Sequence, residues 1–370
     1  MKLRIPKHIE EITPYPPGKP LDELERDYGI TNSIKLASNE NPLGPSPLAL
    51  TAIQAALADL HRYPDGSGYY LSRAIAEKDG VEPSQVVLGN GSNEIIEFLV
   101  KAFVQAGDEV ITSHPSFLMY QKFVQVRGGK NHVVALKDMS HDLEAILSLA
   151  SERTRLIFLD NPNNPCGTLI PTDDLLSFIS EIPDHVVVVL DEAYIDFVED
   201  NLQVDSKSLL ENREGRCGVV CMRTFSKAFG LAGLRIGYGL MESSIAACLH
   251  KVRQPFNINQ LALTAAEAAI RDGDFYQKTR KLVDQGKKYL MAGVDACGCR
   301  SYPSQTNFFL IDVRGDATVL YESMLRRGVI VRSMKAYGFD QFIRINVGTM
   351  IENRRFAEAF RICLKECGYV

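Results

Sequence analysis

The sequence contains the segment Gly218-Val-Val-Cys-Met-Arg-Thr-Phe-Ser-Lys227, an apolar run that ends in hydroxyls and a lysine, and Arg235 follows eight residues later. An apolar run without polar alternation is typical of a strand that is buried on both faces of a sheet. Hydroxyls and cations at the end of such a strand can bind a phosphate, and the lysine amine can bond to a carbonyl carbon of the same ligand. Alone, the segment also fits a loop with an exposed lysine, so its meaning depends on the rest of the chain.

The composition is ordinary for a soluble globular protein. The 370 residues can bury a large core and suffice for two domains. A net charge of -5 leaves no basic surface for nucleic acid or an anionic membrane. The N-terminus lacks the apolar core of a signal peptide, and no apolar run approaches membrane-spanning length. We therefore expect a cytoplasmic enzyme that acts on small molecules.

The cysteines and histidines do not form a metal-binding pattern. Eight cysteines are too sparse for a disulfide scaffold, and Cys297-x-Cys299 and Cys363-x-x-x-Cys367 lack both a two-residue gap and a nearby histidine. The seven histidines are scattered without ligand spacing. We expect no metal and no functional cysteine.

From Pro47 onward, helical patterns alternate with short apolar runs at residues 156–159, 186–190 and 219–222. Continuous β-branched runs separated by helices predict an α/β domain with a mainly parallel sheet flanked by helices. Each run ends in polar residues, and ligands bind at the carboxyl ends of strands in such sheets. The pattern therefore predicts that the polar residues after these three strands lie at the same edge of the sheet.

The composition and the secondary-structure pattern of the sequence change twice, which predicts three parts. Residues 1–46 are proline-rich and indicate an extended N-terminal arm. Residues 47–258 form the predicted large, cofactor-binding domain. Residues 259–370 combine helical patterns with short strand-like runs and predict a smaller α+β domain.

A second phosphate-binding element is predicted where Gly91, Ser92 and Asn93 open a helix. Glycine lets the backbone approach an anion, and the free amides of a helix N-terminus favour negative charge. An ordinary helix cap at Ser92 or Asn93 explains the turn equally well. Together with Thr224, Ser226 and Arg235, however, it would give one phosphate donors from two distant segments.

Four further residues suit a pyridine ring beside that phosphate. Asp191 follows a strongly apolar strand and can keep a pyridine nitrogen protonated, although it could also cap the next helix. Tyr194 and Asn164 can bind the ring's phenolic oxygen, and Phe117 can stack on the ring; each aromatic could instead be core. The cofactor that combines these features is pyridoxal 5'-phosphate.

Several motifs occur in the order and spacing of a known family. The chain resembles the fold-type I, aspartate-aminotransferase-like pyridoxal-phosphate enzymes in Asn161-Pro-Asn-Asn-Pro-Cys-Gly167, Asp191-Glu-Ala-Tyr194, Ser226-Lys227 with Arg235, and Arg344-Ile-Asn-Val-Gly-Thr349. It is similar to the histidinol-phosphate aminotransferase branch in Pro14-Tyr-Pro-Pro-Gly-Lys-Pro20, Leu36-Ala-Ser-Asn-Glu-Asn-Pro42 and Arg62-Tyr-Pro-Asp65. Two positions depart from the pattern: Cys166 replaces the usual threonine, and Phe117 replaces a tyrosine of the narrower branch.

The resemblance implies roles for the matching residues. Lys227 would bond to the cofactor and transfer protons, with Asp191 at the ring nitrogen and Tyr194 at the ring oxygen as further catalytic residues. The remaining cofactor contacts would come from Gly91, Ser92, Asn93, Phe117, Asn164, Thr224, Ser226 and Arg235.

The resemblance also implies substrate and subunit contacts. Arg344 would bind a substrate anion, and Arg332, Tyr15 and Asn39 would complete the substrate site. From sequence alone, Arg332 fits an ordinary exposed strand residue about equally well, and the alternative for Arg344 is a surface ion pair. Tyr63 would reach the neighbouring site of a homodimer, and the arm would pack on the small domain and the partner subunit.

The implied reaction is amino transfer between L-histidinol phosphate and 2-oxoglutarate, which gives imidazole acetol phosphate and L-glutamate in histidine biosynthesis. The alternatives are an aromatic or broad-range aminotransferase, and a lyase resembling threonine-phosphate decarboxylase. A regulatory sensing domain is the non-enzymatic alternative, and the sequence contains no DNA-binding segment for it.

Overall fold

The computed structural model describes residues 4–14, 26, 29–211 and 215–370. Within them the strands, in chain order, are β1 (Ile34–Lys35), β2 (Val86–Gly89), β3 (Glu109–His114), β4 (Lys130–Ala135), β5 (Thr154–Asp160), β6 (Val187–Asp191), β7 (Gly218–Thr224), β8 (Gly237–Met241), β9 (Arg300–Ser301), β10 (Phe308–Asp312), β11 (Val329–Ile330), β12 (Arg332–Ser333) and β13 (Phe342–Asn346). The α-helices are Lys7–Glu10, Pro47–Ala56, Tyr69–Asp79, Ser92–Phe103, Met119–Val126, Leu143–Ser148, Thr172–Glu181, Ser206–Leu210, Ser243–Val252, Gln260–Arg271, Gly273–Ala296, Ala317–Leu325 and Met350–Glu366. In the described ranges, none of these helices combines the length and apolarity needed to cross a bilayer.

Seven strands form the large sheet in the order β2-β8-β7-β6-β5-β3-β4. The five strands from β7 to β4 run parallel, and β8 runs antiparallel to both of its neighbours. The predicted α/β class with a mainly parallel sheet is therefore confirmed. In register, Asp160 lies opposite Asp191, so the ends of β5 and β6 stand side by side.

Both faces of this sheet are covered by apolar side chains. Along β6, Val188 and Leu190 belong to one core cluster, whereas Val187 and Val189 belong to the cluster on the opposite face. Side chains alternate across a strand, so a strand buried on both faces needs an apolar residue at every position. Each fully buried valine or leucine stabilises the fold by roughly 1.5–3 kcal/mol.

A smaller α+β unit follows, as predicted. Its antiparallel sheet has the order β12-β13-β10-β9. Helices Ala317–Leu325 and Met350–Glu366 contribute to its core, in which Phe309 of β10 packs with Phe356 and Phe360. A capping box between Thr349 and Glu352 begins the last helix, as is common at helix N-termini.

Two helices follow residue 258, where the domain boundary is predicted, and the boundary itself stays a prediction. Helix Gln260–Arg271 packs against helices Pro47–Ala56 and Tyr69–Asp79, and its alanine face joins a core cluster of the large sheet. Helix Gly273–Ala296 then spans both units: Tyr276 packs on the large core, and Val283 belongs to the small one. An amphipathic pattern identifies a buried helical face but not which core buries it.

The described part of the N-terminal arm contacts both units: helix Lys7–Glu10 packs against helix Met119–Val126 of the large unit, and residues 34–36 pack on the small unit. β1 pairs in parallel with β11, and Leu36 enters the small core. Residues 36–41 then pass between the small sheet and the large one, where Asn39 donates its backbone N–H to Asn346 Oδ1 at 3.0 Å. The predicted contact of the arm with a partner subunit stays a prediction.

Candidate active site

A cavity of about 470 Å³ opens at the carboxyl edge of the parallel strands. Its walls come from the arm, the large sheet and the small sheet, and they include Ser38, Asn39 and Glu40 of the arm; Ser92, Asn93, Phe117, Tyr120, Asp160, Asn164, Asp191, Tyr194, Thr224, Ser226, Lys227 and Arg235 of the large unit; and Arg332, Tyr337 and Arg344 of the small unit. The structure thus brings together residues that are widely separated in sequence.

One end of the cavity is built to receive an anion. Helix Ser92–Phe103 begins after Gly91, whose φ is 79°, and no side chain caps its first amides. At this φ a side chain at residue 91 would be strained, and its Cβ atom would lie 2.6 Å from a guanidinium nitrogen of Arg235, so glycine suits the close approach of that arginine to the helix N-terminus. The N-cap is therefore Gly91 rather than Ser92 or Asn93, and the first-turn amides stay available to a ligand.

Asp191 lies beyond the anion end, buried at the tip of β6. Its Oδ1 accepts the Ala193 backbone N–H at 3.1 Å, and its Oδ2 accepts the Tyr120 hydroxyl at 2.7 Å. Burial raises the pKa of Asp191 to about 6, although the Tyr120 hydrogen bond lowers it. A cation beside this buried carboxylate would stabilise its ionised form.

Lys227 projects into the same cavity. Its Nζ donates to the Ser38 carbonyl at 3.2 Å and lies 5.7 Å from the centre of the Tyr194 ring. Desolvation first, and then the positive charge of Arg344, lowers the pKa of Lys227 to about 8. An amine with this pKa is substantially neutral near pH 8 and can act as a nucleophile or base.

A chain of hydrogen bonds links Tyr194 to the small unit. The Tyr194 hydroxyl accepts from Asn39 Nδ2 at 2.8 Å and from Asn164 Nδ2 at 3.4 Å. Asn164 Oδ1 in turn accepts from Arg344 at 2.5 Å. Burial raises the pKa of Tyr194 to about 12, against the opposing effect of Arg344. Asn39 Oδ1 is buried and has no partner among the described residues.

Two arginines of the small sheet face the cavity from adjacent strands. Arg332 of β12 lies directly opposite Arg344 of β13. Arg344 is only 7% exposed, donates to the Ala37 carbonyl at 2.9 Å and lies 5.0 Å from the Phe308 ring. A surface ion pair, the alternative explanation for Arg344, is excluded by this burial. Paired guanidinium groups suit a carboxylate or a phosphate.

Three predicted residues lie elsewhere or outside the described ranges. Tyr63 does not line the cavity of its own chain: it is 83% exposed and stacks on Phe256 with ring centres 5.0 Å apart. Gly91 shapes the anion end without lining it. Tyr15 lies outside the described residues. The other predicted site residues line one cavity, and their roles stay predictions.

The sequence analysis missed several cavity residues, above all Tyr120, Asp160 and Tyr337. Asp160 ends β5 just before the recognised motif and accepts hydrogen bonds from Ser116 and the Asn164 backbone, at 2.8 Å each. The position of Asp160 directly after an apolar run could have predicted that it lies in the site. Tyr120 follows Phe117 by three residues, a spacing that brings side chains together on a helical turn.

The chemistry of this donor set fits a phosphate-bearing pyridine aldehyde. The uncapped helix amides and Arg235 match the phosphate, Asp191 matches a ring nitrogen, and Lys227 matches the aldehyde carbon. Gly91 places the backbone of the helix N-terminus close to the guanidinium group of Arg235, which brings both kinds of anion donor together.

Comparisons with known proteins agree with this geometry. A family-wide sequence profile for aminotransferase class I and II matches residues 31–360. The chain is 62% identical over 370 residues to histidinol-phosphate aminotransferase of Desulfotalea psychrophila, a match that covers 100% of this chain and 98% of that protein. Its structure is similar to that of histidinol-phosphate aminotransferase from Sinorhizobium meliloti in complex with pyridoxal-5'-phosphate, with a TM-score of 0.90, 28% identity and 99% of each chain covered. It also resembles an aspartate aminotransferase mutant of Thermus thermophilus, with a TM-score of 0.80, 22% identity, and 97% of this chain and 99% of that chain covered, which confirms the predicted fold.

Proposed function

We propose that this chain, which belongs to the class I and II aminotransferase family and within it to the histidinol-phosphate aminotransferases, transfers an amino group between L-histidinol phosphate and 2-oxoglutarate. The products are imidazole acetol phosphate and L-glutamate. The observation that carries the proposal is a lysine with a lowered pKa in one cavity with a buried carboxylate, an anion-binding helix N-terminus and two arginines.

The proposed cofactor is pyridoxal 5'-phosphate, as in the Sinorhizobium meliloti relative. When bound, it supplies an electron-withdrawing ring that stabilises negative charge on the substrate carbon. Ser92, Asn93, Thr224, Ser226 and Arg235 would hold its phosphate. Asp191 would pair with the ring nitrogen, Tyr194 and Asn164 with the ring oxygen, and Phe117 with the ring face.

Lys227 is the proposed base and acid. Its Nζ would take the proton from the substrate Cα and, as the conjugate acid, would return it to carbon later in the transfer. Because its pKa is about 8, the neutral amine is available near neutral pH without being too weak a base for the transfer. Asp191 would hold a proton at the ring nitrogen, and Tyr194, whose pKa of about 12 keeps its hydroxyl protonated, would donate to the ring oxygen.

The two arginines would let one pocket accept two kinds of anion. Glutamate presents carboxylates and histidinol phosphate presents a phosphate, and a guanidinium binds either with paired hydrogen bonds. Asn39 is a proposed substrate contact because its buried Oδ1 would gain a partner from a bound N–H group. Tyr15 belongs to the same proposal on resemblance alone.

A homodimer in the cytoplasm completes the proposal. Exposed apolar side chains cluster in sequence around Tyr63, with Leu57 and Leu60 about half exposed and Phe256 stacked on the Tyr63 ring. Such residues gain from burial against a second subunit, and Tyr63 would then reach the neighbouring site. All eight cysteines are free thiols, which fits a reducing compartment.

The decisive experiment compares substrates. With glutamate as donor, kcat/KM for imidazole acetol phosphate should exceed that for phenylpyruvate by at least about a hundredfold, because only the former supplies a phosphate to the arginines. Equal values would favour a broad-range aminotransferase. Release of carbon dioxide from threonine phosphate, without glutamate-dependent transfer, would favour the lyase.

A complementation experiment tests the subunit contact. Tyr63→Ala and Lys227→Met chains should each be weakly active or inactive, and the two would be dissociated and mixed. If Tyr63 acts on the neighbouring site, a mixed dimer contains one site with both residues intact, so activity recovers. If no activity appears in verified mixed dimers, Tyr63 does not act across the interface.

A further inference from the structure

We propose that Tyr120 is a positioning residue that keeps the Asp191 carboxylate ionised and aimed into the cavity. The proposal deepens, and rests on, the proposed function, because it assigns to Tyr120 the control of the group that faces the cofactor ring. Tyr120 lies outside every motif that identified the family.

The contact is direct and buried. The Tyr120 hydroxyl donates to Asp191 Oδ2 at 2.7 Å, and both residues are shielded from bulk water, with Tyr120 only 1% exposed. The two residues are 71 positions apart in the chain. A hydrogen bond to a buried charged acceptor is among the stronger polar interactions in a protein.

Tyr120 also fixes which way the carboxylate points. The Ala193 backbone N–H binds Oδ1 and the Tyr120 hydroxyl binds Oδ2, so both carboxylate oxygens have a donor. Rotation of the carboxylate would break at least one of these bonds. Asp160, the carboxylate opposite Asp191 in register, repels its charge and would favour its protonation. The Tyr120 hydroxyl opposes that effect.

The Tyr120 ring is itself held rigidly. It stacks on Phe158 with ring centres 4.8 Å apart and planes 9° from parallel, and it meets Phe117 edge-on at 5.5 Å. The same ring therefore links the proposed stacking residue, Phe117, to Asp191. A donor fixed in advance stabilises charge without a reorganisation cost at the moment of reaction.

The test removes only the hydroxyl. Tyr120→Phe keeps both ring contacts, and Tyr238→Phe is the matched control. Tyr238 is a buried tyrosine whose hydroxyl donates to Asp79 Oδ2 at 3.0 Å, and neither residue lines the cavity. For each protein we would measure kcat, KM, the absorbance spectrum of the bound cofactor, and the Kd of pyridoxal 5'-phosphate for the cofactor-free chain.

We expect Tyr120→Phe to lower kcat about tenfold with KM nearly unchanged, to weaken cofactor binding by a similar factor and to alter the cofactor spectrum. Tyr238→Phe should leave all four unchanged. In an Asp191→Asn background, where no charge remains to stabilise, the Tyr120→Phe effect should largely vanish.

Two results would overturn the proposal. One is equal behaviour of Tyr120→Phe and Tyr238→Phe. The other is a Tyr120→Phe effect of the same size in the presence and absence of the Asp191 charge. Absence of amino transfer by the unmodified protein would instead refute the proposed function, and the cofactor Kd values would still test the role of Tyr120.

Discussion

Two clusters of charged side chains lie at the carboxyl edge of the large sheet, and the adjacent residues Asp191 and Glu192 belong to different clusters. The two clusters differ in how their charges are neutralised. The first, the Arg223 cluster, consists of Arg223, Glu192, Asp79 and Ser206. Arg223 donates to Glu192 at 2.8 Å, to Asp79 at 2.7 Å and to Ser206 at 2.6 Å. Although burial alone would lower the pKa of Arg223, the two carboxylates raise it well above its usual value.

The second, the cavity cluster, consists of Lys227, Asp191 and Arg344. Asp191 directly precedes Glu192, so the two carboxylates leave β6 toward different surroundings. Burial raises the pKa of Asp191 and lowers that of Lys227, which moves both groups toward their neutral forms. Among the described residues, neither Asp191 nor Lys227 has an opposite charge at hydrogen-bonding distance, in contrast to Arg223.

The difference separates structural charges from functional ones. A buried ion that has opposite charges at hydrogen-bonding distance is held in its charged form, and the fold depends on it because removal of one partner leaves an uncompensated buried charge. Buried groups that are moved toward neutrality beside a cavity are poised for proton transfer and for binding a charged ligand. Four variants test whether the two clusters divide in this way.

Lys227→Met should have the largest effect on turnover, and it should raise rather than lower the stability of the protein. Amino transfer should fall by at least about a thousandfold, because base catalysis and covalent attachment are both lost. The cofactor-free protein should become more stable at pH 7, since the folded state disfavours a charged Lys227. Its pKa of about 8 lies below its ordinary value of 10.5. Wild-type stability should therefore rise between pH 8 and 10.5, and that rise should be absent from the variant.

The measurements are steady-state kinetics and denaturant unfolding of the cofactor-free proteins across this pH range. A variant that retains full turnover would refute the assignment of Lys227. A variant that unfolds more easily at pH 7 would place Lys227 with the structural charges.

Arg223→Met should have the opposite effect to Lys227→Met: a loss of stability without a loss of turnover. It leaves two buried carboxylates, Glu192 and Asp79, without their shared cation, and removal of one partner of a buried ion pair costs about 3–5 kcal/mol. The free energy of unfolding should fall by that amount, while kcat per folded, cofactor-loaded molecule stays near that of the wild type. A loss of kcat without a loss of stability would contradict the division.

Asp191→Asn should weaken turnover and yet stabilise the cofactor-free protein. The folded state raises the pKa of Asp191 from an ordinary 3.8 to about 6. Wild-type stability should therefore fall as the pH rises through the window from 3.8 to 6. The variant lacks this loss, so at pH 7 it should be more stable by at most about 3 kcal/mol. Unfolding curves at pH 4 and pH 7 measure the effect, and a parallel dependence in both proteins would disprove it.

Tyr276→Phe should have the smallest effect. Its hydroxyl donates to Asp196 at 2.9 Å, away from the cavity. Loss of this bond should cost about 1–2 kcal/mol of stability and leave the kinetics unchanged. Any change in KM or kcat would show that the cavity is coupled to buried polar groups beyond its walls.

Local sequence patterns were sufficient for much of the architecture. The apolar runs near residues 156, 186 and 219 are strands of one sheet, because side-chain alternation makes a doubly buried strand recognisable from its own residues. The same logic located Asp191 and Lys227, which follow such strands. The domain boundary at residue 258 stays a prediction, because the alanine face of helix Gln260–Arg271 does not reveal from sequence which core covers it.

Tyr120 marks the limit of that reasoning within the site. Its partner is 71 residues away, and nothing in its own segment distinguishes a hydroxyl that meets Asp191 from one in an ordinary core. The bond between Asn39 and Tyr194 spans 155 residues and was equally hidden as a contact.

The sequence by itself determined the strands, the polar residues at their ends and the family, because these depend on residue order and local periodicity. Only the tertiary structure decided which of those polar residues are neutralised and which face a cavity. Asp191 and Glu192 are neighbours in sequence with the same kind of carboxylate, and their difference comes from groups brought to them by distant parts of the chain. Electrostatic environment depends on distance and burial, and neither is encoded in spacing along the chain.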